Sequence, residues 1–444
     1  MTPTHKSRRT FLKSTAAASL APFVLPSGLR AQDAPSSKKL RMGFVGMGKQ
    51  SGHLLNNFIS QDDVHVLAVC DVDTTRREHG KAEVDKKYGN SECAAVVEFE
   101  KITDRDDIDA ICIATPDHWH TIITMAALEN GKDVYCEKPL THNIHESKVV
   151  MEAVPKHGRV LQNGSMQRSM SEFRVACELV RNGAIGKLDH VECSFGDPGV
   201  PCDLPAEEME PGLDWDRWLG PAQERPYHSE LSPRGLHNHF PNWRNYREFG
   251  GGMVTDWGAH HLDIAQWGLG RDESGPTKIL PPDDWEEGKS KRGAKLVYDD
   301  GVYIVHGGGI GVHFFGSEGE VEVTRGRFAF RRGGETVAQF LSSDDKVSLA
   351  SQLIKAEKEF LQDAEVKLYK SEHHIRDFID AVAARKQPIT HEEIGARSAI
   401  CCHLMNLAYY HGQEIEWNPD SNTFANNTGD PAWLTRDYRS PWSV

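Results

Sequence analysis

The sequence predicts two successive architectures: a doubly wound parallel α/β sheet, then an α+β domain built on a large, mostly antiparallel sheet. Three observations predict them. From residue 40, short apolar runs alternate with helical patterns of ten or more residues, which is how parallel sheets with helices on both faces are written. Beyond residue 164, a helix is followed by a run of closely spaced strands, the pattern of an antiparallel sheet. The length of 444 residues suits two or three domains, and 39% apolar with 26% charged residues suits a globular chain.

The first residues are set aside before fold reasoning. Residues 7–13 read SRRTFLK and precede a short apolar run, which resembles a twin-arginine export signal. A basic, unstructured tail is the alternative. The run contains Pro22 and Pro26 and is shorter than the ~20 residues of a membrane span, so no stable membrane insertion is expected. Residues 1–31 are read as the signal, with cleavage near Ala31. That implies the twin-arginine machinery as a partner and a periplasmic location. The formal charge is −14, and −19 without those residues, which argues against a nucleic-acid partner. The nine cysteines include no CxxC pair, and no disulfide framework is expected.

Residues 38–163 form the predicted first domain. Its strand-like runs are 40–46, 64–70, 110–115, 132–138 and 159–164, with helices at 51–60, 74–87, 119–130 and 144–157. The first run leads into Gly46-Met47-Gly48-Lys49-Gln50-Ser51-Gly52. Such a turn lets backbone approach a pyrophosphate that the following helix N-terminus attracts. Ser51 stands where a third glycine is usual. The second run ends at Asp71, an acid placed to accept hydrogen bonds from an adenosine ribose and to repel a 2′-phosphate. This is the Rossmann pattern, and it favours NAD over NADP. Arg76 and Arg77 lie close enough to keep NADP open.

Two further strand ends carry specific motifs. One reads Ala114-Thr115-Pro116-Asp117-His118-Trp119-His120, the other Glu137-Lys138-Pro139. Together they resemble the glucose-fructose oxidoreductase / inositol dehydrogenase / MocA (Gfo/Idh/MocA) family over roughly residues 40–412. The family usually has Asn where Asp117 stands. The resemblance implies a cofactor site from Gly46, Met47, Gly48, Asp71, Thr115, Pro116, His120, Glu137 and Lys138, with Lys138 beside the nicotinamide and the reacting carbon. A lysine at a ligand-lined strand end can manage the proton that alcohol oxidation releases.

The second domain is read as 164–412, with a tail at 413–444. Its predicted elements are a helix at 171–182 and strands at 189–195, 294–298, 302–306, 311–315, 320–324 and 327–331. A long Pro-, Trp- and Gly-rich segment covers 196–252. Packing helices are expected at 372–385 and 391–411. A helix at about 253–268 carries DWGAHHLD, placing Asp256, His260 and Asp263 on one face at i, i+4 and i+7. Asp256 and His260 match the family's D-x-x-x-H motif, which implies a catalytic trio with Lys138. In it, His260 takes the hydroxyl proton and Asp256 orients the substrate or His260. A metal site drawn from His237, His239, His260, His261 and Asp256 is the alternative, although H-E-x-x-H is absent. Arg168, Trp243, Arg244, His261 and Asp263 are the candidate substrate-binding residues. The family's open sheet face implies a homodimer or homotetramer, and Arg436–Trp442 is either a loose end or a segment docked on the pocket or a neighbouring subunit.

The expectation is an exported oxidoreductase that moves a hydride between tightly bound NAD and a secondary alcohol of a sugar, cyclitol or sugar derivative. Redox-neutral glycoside cleavage on the same site is the alternative. A metal-dependent hydrolase and a non-catalytic sugar sensor remain as rivals.

Overall fold

The computed structural model describes residues 39–309 and 311–444; the twin-arginine motif lies outside them. Six strands form the first sheet: β1 (Leu40–Val45), β2 (Val64–Cys70), β3 (Ala94–Val96), β4 (Ala110–Ile113), β5 (Asp133–Cys136) and β6 (Leu161–Asn163). Their order is β3-β2-β1-β4-β5-β6 and every pairing is parallel. Met42, Phe44, Ile111, Cys112, Val134 and Cys136 are fully covered from both faces, as near-continuous apolar runs predict. The strand absent from the sequence reading is β3, a three-residue edge strand too short to show a period.

The helices between the strands start and stop where local chemistry dictates. The helix Ile144–His157 begins at Asn143, whose side chain accepts from the Glu146 amide, and ends at Gly158 in the left-handed conformation. The helix Thr74–Tyr88 is capped in the same way by Asp73 and Gly89. Lys49–Ile59 differs: Gly48 supplies no capping side chain and no acid occupies the first turn.

The second sheet has ten strands: β7 (Leu188–Ser194), β8 (Lys278–Leu280), β9 (Lys295–Val297), β10 (Tyr303–His306), β11 (Gly311–Gly316), β12 (Gly319–Thr324), β13 (Arg327–Arg332), β14 (Glu335–Phe340), β15 (Ile415–Asn418) and β16 (Thr423–Phe424). The order is β14-β13-β12-β11-β7-β10-β9-β8-β15-β16, antiparallel except for β7 beside β10. One face, including Val191, Ile304, Phe314 and Val323, packs against helices Ser171–Arg181, Gly258–Leu269 and Glu392–His411. Helix Glu392–His411 also joins the sheets: Gly395 lies against the Asn163 side chain, and His403 Nε2 meets the Thr141 carbonyl at 3.1 Å.

The expected helix over 253–268 is two pieces, Met253–Asp256 and Gly258–Leu269, separated at Trp257. The 196–252 segment folds around its own cluster of Trp218, Leu231, Trp243 and Phe249. The last residues dock: Arg436 reaches Glu146 (3.0 Å) and the His118 carbonyl (2.7 Å), and Trp442 packs on Trp119 with ring centroids 4.8 Å apart. No described helix is long and apolar enough to cross a membrane.

Candidate active site

A cavity of about 280 Å³ opens at the carboxyl ends of the parallel strands, between the two sheets. Such strand ends are where open α/β sheets hold ligands. Gly46 adopts φ +85°, and a Cβ there would stand 2.8 Å from the Ala114 and Thr115 backbone, so the turn admits only glycine. Nothing lies within 4 Å of a Cβ built on Gly48: the space above it is open. The uncapped amides of helix Lys49–Ile59 face that space.

Asp71, at the end of β2, accepts from the amides of Met47 (2.6 Å) and Asp73 (2.8 Å). An open cradle, an uncapped helix N-terminus and a fixed acid directly after β2 fit a dinucleotide. Ser51, in the third glycine position, is fully buried.

The reacting end is assembled from both domains. Lys138 follows β5, its peptide to Pro139 is cis, and its Nζ donates to the Asp256 carboxylate and to the Asp256 carbonyl at 3.0 Å. Arg244 Nε stands 3.5 Å from the same carboxylate, and its guanidinium stacks on Trp243 and Phe240 at 4.2 and 5.0 Å. Burial alone would raise the Asp256 carboxyl; Lys138 and Arg244 outweigh it and hold it below the usual range.

His260 lines the same cavity. Burial first, then Lys138 and Arg325, push its pKa well below the ordinary histidine value, so the ring is neutral. Its buried Nδ1 has no hydrogen-bond partner among the described residues. Asp256 therefore pairs with Lys138 and not with His260, because the break at Trp257 takes it off the helix that carries the imidazole.

Gly46, Gly48, Asp71, Thr115, Pro116, Glu137, Lys138, Trp243, Arg244, Asp256 and His260 all line the cavity. Five expected residues do not. Met47 contributes its amide to Asp71 while its side chain packs over Gly80. His120 is a clip, with Nδ1 2.7 Å from the Pro139 carbonyl and Nε2 3.1 Å from that of Thr115.

The other three are the substrate candidates Arg168, Asp263 and His261, and each is committed elsewhere. Arg168 is buried between Asp263 (2.9 Å) and Asp272 (2.8 Å), and Ser398 Oγ donates to Asp263. His261 Nδ1 faces the Ser194 carbonyl at 2.7 Å. Among the described residues, no group of three His, Cys, Asp or Glu side chains stands at metal-holding spacing.

The sequence reading missed Phe240, Trp257 and Arg325, which also line the cavity. Arg325 and Gly326 are the two-residue tip joining β12 and β13, with Gly326 at φ +71°. The signal available was T-R-G-R between two strand runs, which marks a turn but not where the turn points.

Residues 40–165 match the family model "Oxidoreductase family, NAD-binding Rossmann fold", and residues 199–319 match "Oxidoreductase family, C-terminal alpha/beta domain". Together the two Gfo/Idh/MocA models cover more than half of the chain. The chain belongs to the Gfo/Idh/MocA oxidoreductase family.

Inositol 2-dehydrogenase 4 of Saccharopolyspora erythraea is 30% identical over 191 residues, 41% of this chain and 55% of that protein. A glycosyl hydrolase family 109 protein of Solibacter usitatus is 31% identical over 159 residues, 34% of this chain and 36% of that protein. The chain thus spans about half or less of the length of these relatives. Aldose-aldose oxidoreductase from Caulobacter crescentus, solved with glycerol, shares the fold with a TM-score of 0.56 at 17% identity, over 85% of this chain and all of that one. The first domain of this chain is thus an NAD-binding Rossmann fold of this oxidoreductase family.

Proposed function

We infer that the protein oxidises a secondary alcohol of a sugar, cyclitol or sugar derivative, using NAD that stays bound between turnovers. One observation carries this reading: Lys138 from the first domain and His260 from the second line one cavity that continues over the Gly46–Gly48 turn.

Oxidising an alcohol releases a proton, and the neutral His260 imidazole lining the cavity can accept it. The Lys138 ammonium, fixed by Asp256, donates to the alcohol oxygen and stabilises its developing charge. Trp243 and Phe240 supply apolar walls, and Arg244 supplies donors. Bound NAD supplies the two-electron acceptor for the carbon that loses hydrogen. The helix N-terminus after Gly48 and Asp71 hold it.

Support for NAD over NADP comes from Asp71, which would repel a 2′-phosphate, and from the two nearby arginines. Arg76 already donates to Ser232 (3.2 Å) and the Pro233 carbonyl, and Arg77 to the Asp71 carbonyl (2.9 Å). Support for retention comes from the twin-arginine motif: that route exports folded proteins to a periplasm that offers no pool of free NAD. A retained cofactor is reset in place by a second substrate or by a redox-neutral cycle. Denaturing the exported protein and assaying released nucleotide tests both points. Stoichiometric NAD(H) is expected; NADP(H) overturns the preference, and no nucleotide overturns retention.

The second reading, redox-neutral glycoside cleavage, draws on the glycosyl hydrolase family 109 relative. Aglycone release with no net NADH would establish it; net accumulation of reduced cofactor with a free sugar would exclude it as the sole activity.

The open face of the ten-stranded sheet supports a homo-oligomer. His190 stacks between Tyr303 (5.2 Å) and Phe315 (4.5 Å) there, an aromatic strip that light scattering of the purified protein should find covered in a dimer or tetramer.

A further inference from the structure

Three cations, Lys138, Arg244 and Arg325, line the reacting end of the cavity. Lys138 and Arg244 share the single Asp256 carboxylate. Two more carboxyls, Asp117 and Glu137, line this end; burial raises both, and Glu137 is already engaged by Gln50 at 3.0 Å and by the Lys138 amide at 3.3 Å. Arg325 is the third cation. Its guanidinium stacks on Trp257 at 4.7 Å. The Gln167 amide, oriented to satisfy both neighbours, accepts from Arg325 Nε and donates to the His260 carbonyl, each at 3.2 Å. This bridge sets the guanidinium beside the backbone of the residue that takes the proton. The tip of the hairpin is itself fixed, since the Gly326 amide donates to Glu172 at 3.0 Å.

What Arg325 lacks is a direct partner. Glu137 and Asp256 are the opposite charges that act on it, yet neither pairs with it within 4 Å among the described residues, and its Nη2 is buried there without a hydrogen bond. A guanidinium nitrogen withdrawn from water without a partner costs stability, so folding alone gives little reason to leave Nη2 unpaired here. The same geometry suits a planar or tetrahedral oxyanion, which a guanidinium edge binds with two parallel donors. The Gly46–Gly48 turn and Asp71 lie at the opposite end, where the dinucleotide phosphates fit.

We propose that Arg325 is a specificity-determining residue and that the sugar acted on is anionic, carrying a carboxylate, phosphate or sulfate that the Arg325 guanidinium holds beside the reacting alcohol. This rests on the oxidoreductase reading above and names its substrate class.

The test uses the full-length, nucleotide-containing protein and matched ligands: a neutral hexose, the corresponding hexuronate, its phosphate monoester and its sulfate ester. Binding is read by quenching of tryptophan fluorescence, since Trp243 and Trp257 line the cavity. Turnover is read by absorbance of the bound cofactor. At least one anionic sugar is expected to bind at least about tenfold more tightly than its neutral parent. R325Q removes that ratio and R325K restores part of it; the anion preferred separates a carboxylate source from an ester.

Equal binding of neutral and anionic sugars overturns the proposal. So does R325Q weakening both equally, or losing its nucleotide, because either makes Arg325 a structural or cofactor residue. Neutral sugars oxidised without an anionic preference sink this proposal and leave the oxidoreductase reading standing. Tenfold tighter anion binding, lost in R325Q, with no sugar ever oxidised does the reverse.

Discussion

At the scale of single residues, the account depends on which polar groups are committed and which are free. Lys138 is held by Asp256, so replacing it removes a donor at the reacting oxygen without touching the dinucleotide end. K138A should lower turnover by about 10²–10⁴-fold while released nucleotide stays at the wild-type level, measured on the same preparation. A loss of nucleotide in parallel with activity would place Lys138 in cofactor binding alone. Arg168 gives the opposite expectation. Arg168 and Asp263 are 1% and 0% exposed, so R168A leaves a buried carboxylate without its partner and should cost about 3–5 kcal/mol by thermal unfolding. Wild-type stability with a raised KM would instead return Arg168 to the substrate. The sequence spacing put Asp256, His260 and Asp263 on one face, yet only the first two reach the cavity. The helix Gly258–Leu269 is buried from Gly258 to Gly268, so no solvent-facing side existed to reveal which of its polar residues point inward to a ligand and which to Arg168. Arg325 was illegible for a related reason: a hairpin tip announces itself, but its aim is set by the twist of a sheet formed from residues far apart in sequence.

At the scale of elements, the turn after β1 separates two uses of glycine. Gly46 is needed by the backbone, through φ +85° and the 2.8 Å approach to Ala114. G46A should destabilise the fold by about 1–3 kcal/mol and release the nucleotide as well. Gly48 has φ −73°, a conformation open to any residue, and its missing side chain leaves only empty space. G48V should therefore keep the fold, as read by circular dichroism, and lose the nucleotide together with the stability that bound nucleotide adds, as read by the absorbance of the protein and its denatured supernatant. Full nucleotide content in G48V would show that the cradle is elsewhere. The parallel sheet was legible because each of its longer strands ends in a recognisable turn or motif. The strands that escaped, β3, β8, β14, β15 and β16, are short or polar, and they are stabilised by pairing with neighbours rather than by their own pattern. The exposed helix Leu349–Phe360 escaped too; it is capped by a Ser348–Ser351 box that sits outside any apolar run.

At the scale of the whole molecule, the joining of two sheets around one cavity buries several histidines. His261, His374 and His403 each hold a carbonyl partner, yet burial pushes each down to about 4 from an ordinary 6.5. The unfolded chain therefore binds protons that the folded one refuses. Their contribution to stability is complete above about pH 6.5 and is lost as the pH falls from there toward 4, by about 1.4 kcal/mol per pH unit for each such proton. The melting temperature should drop steeply between neutral pH and about pH 5, and a flat profile would contradict the burial of these rings. The central claim is that Lys138 and His260 act on one carbon facing the dinucleotide. Its most direct test is a single-turnover reaction of the nucleotide-loaded protein with a panel of neutral and anionic sugars, followed by the near-ultraviolet absorbance of the reduced nicotinamide. The account predicts that at least one sugar reduces the bound cofactor in the wild type, and that K138A and H260A each bind the same sugar but fail to do so. Reduction at the wild-type rate in either variant would contradict it.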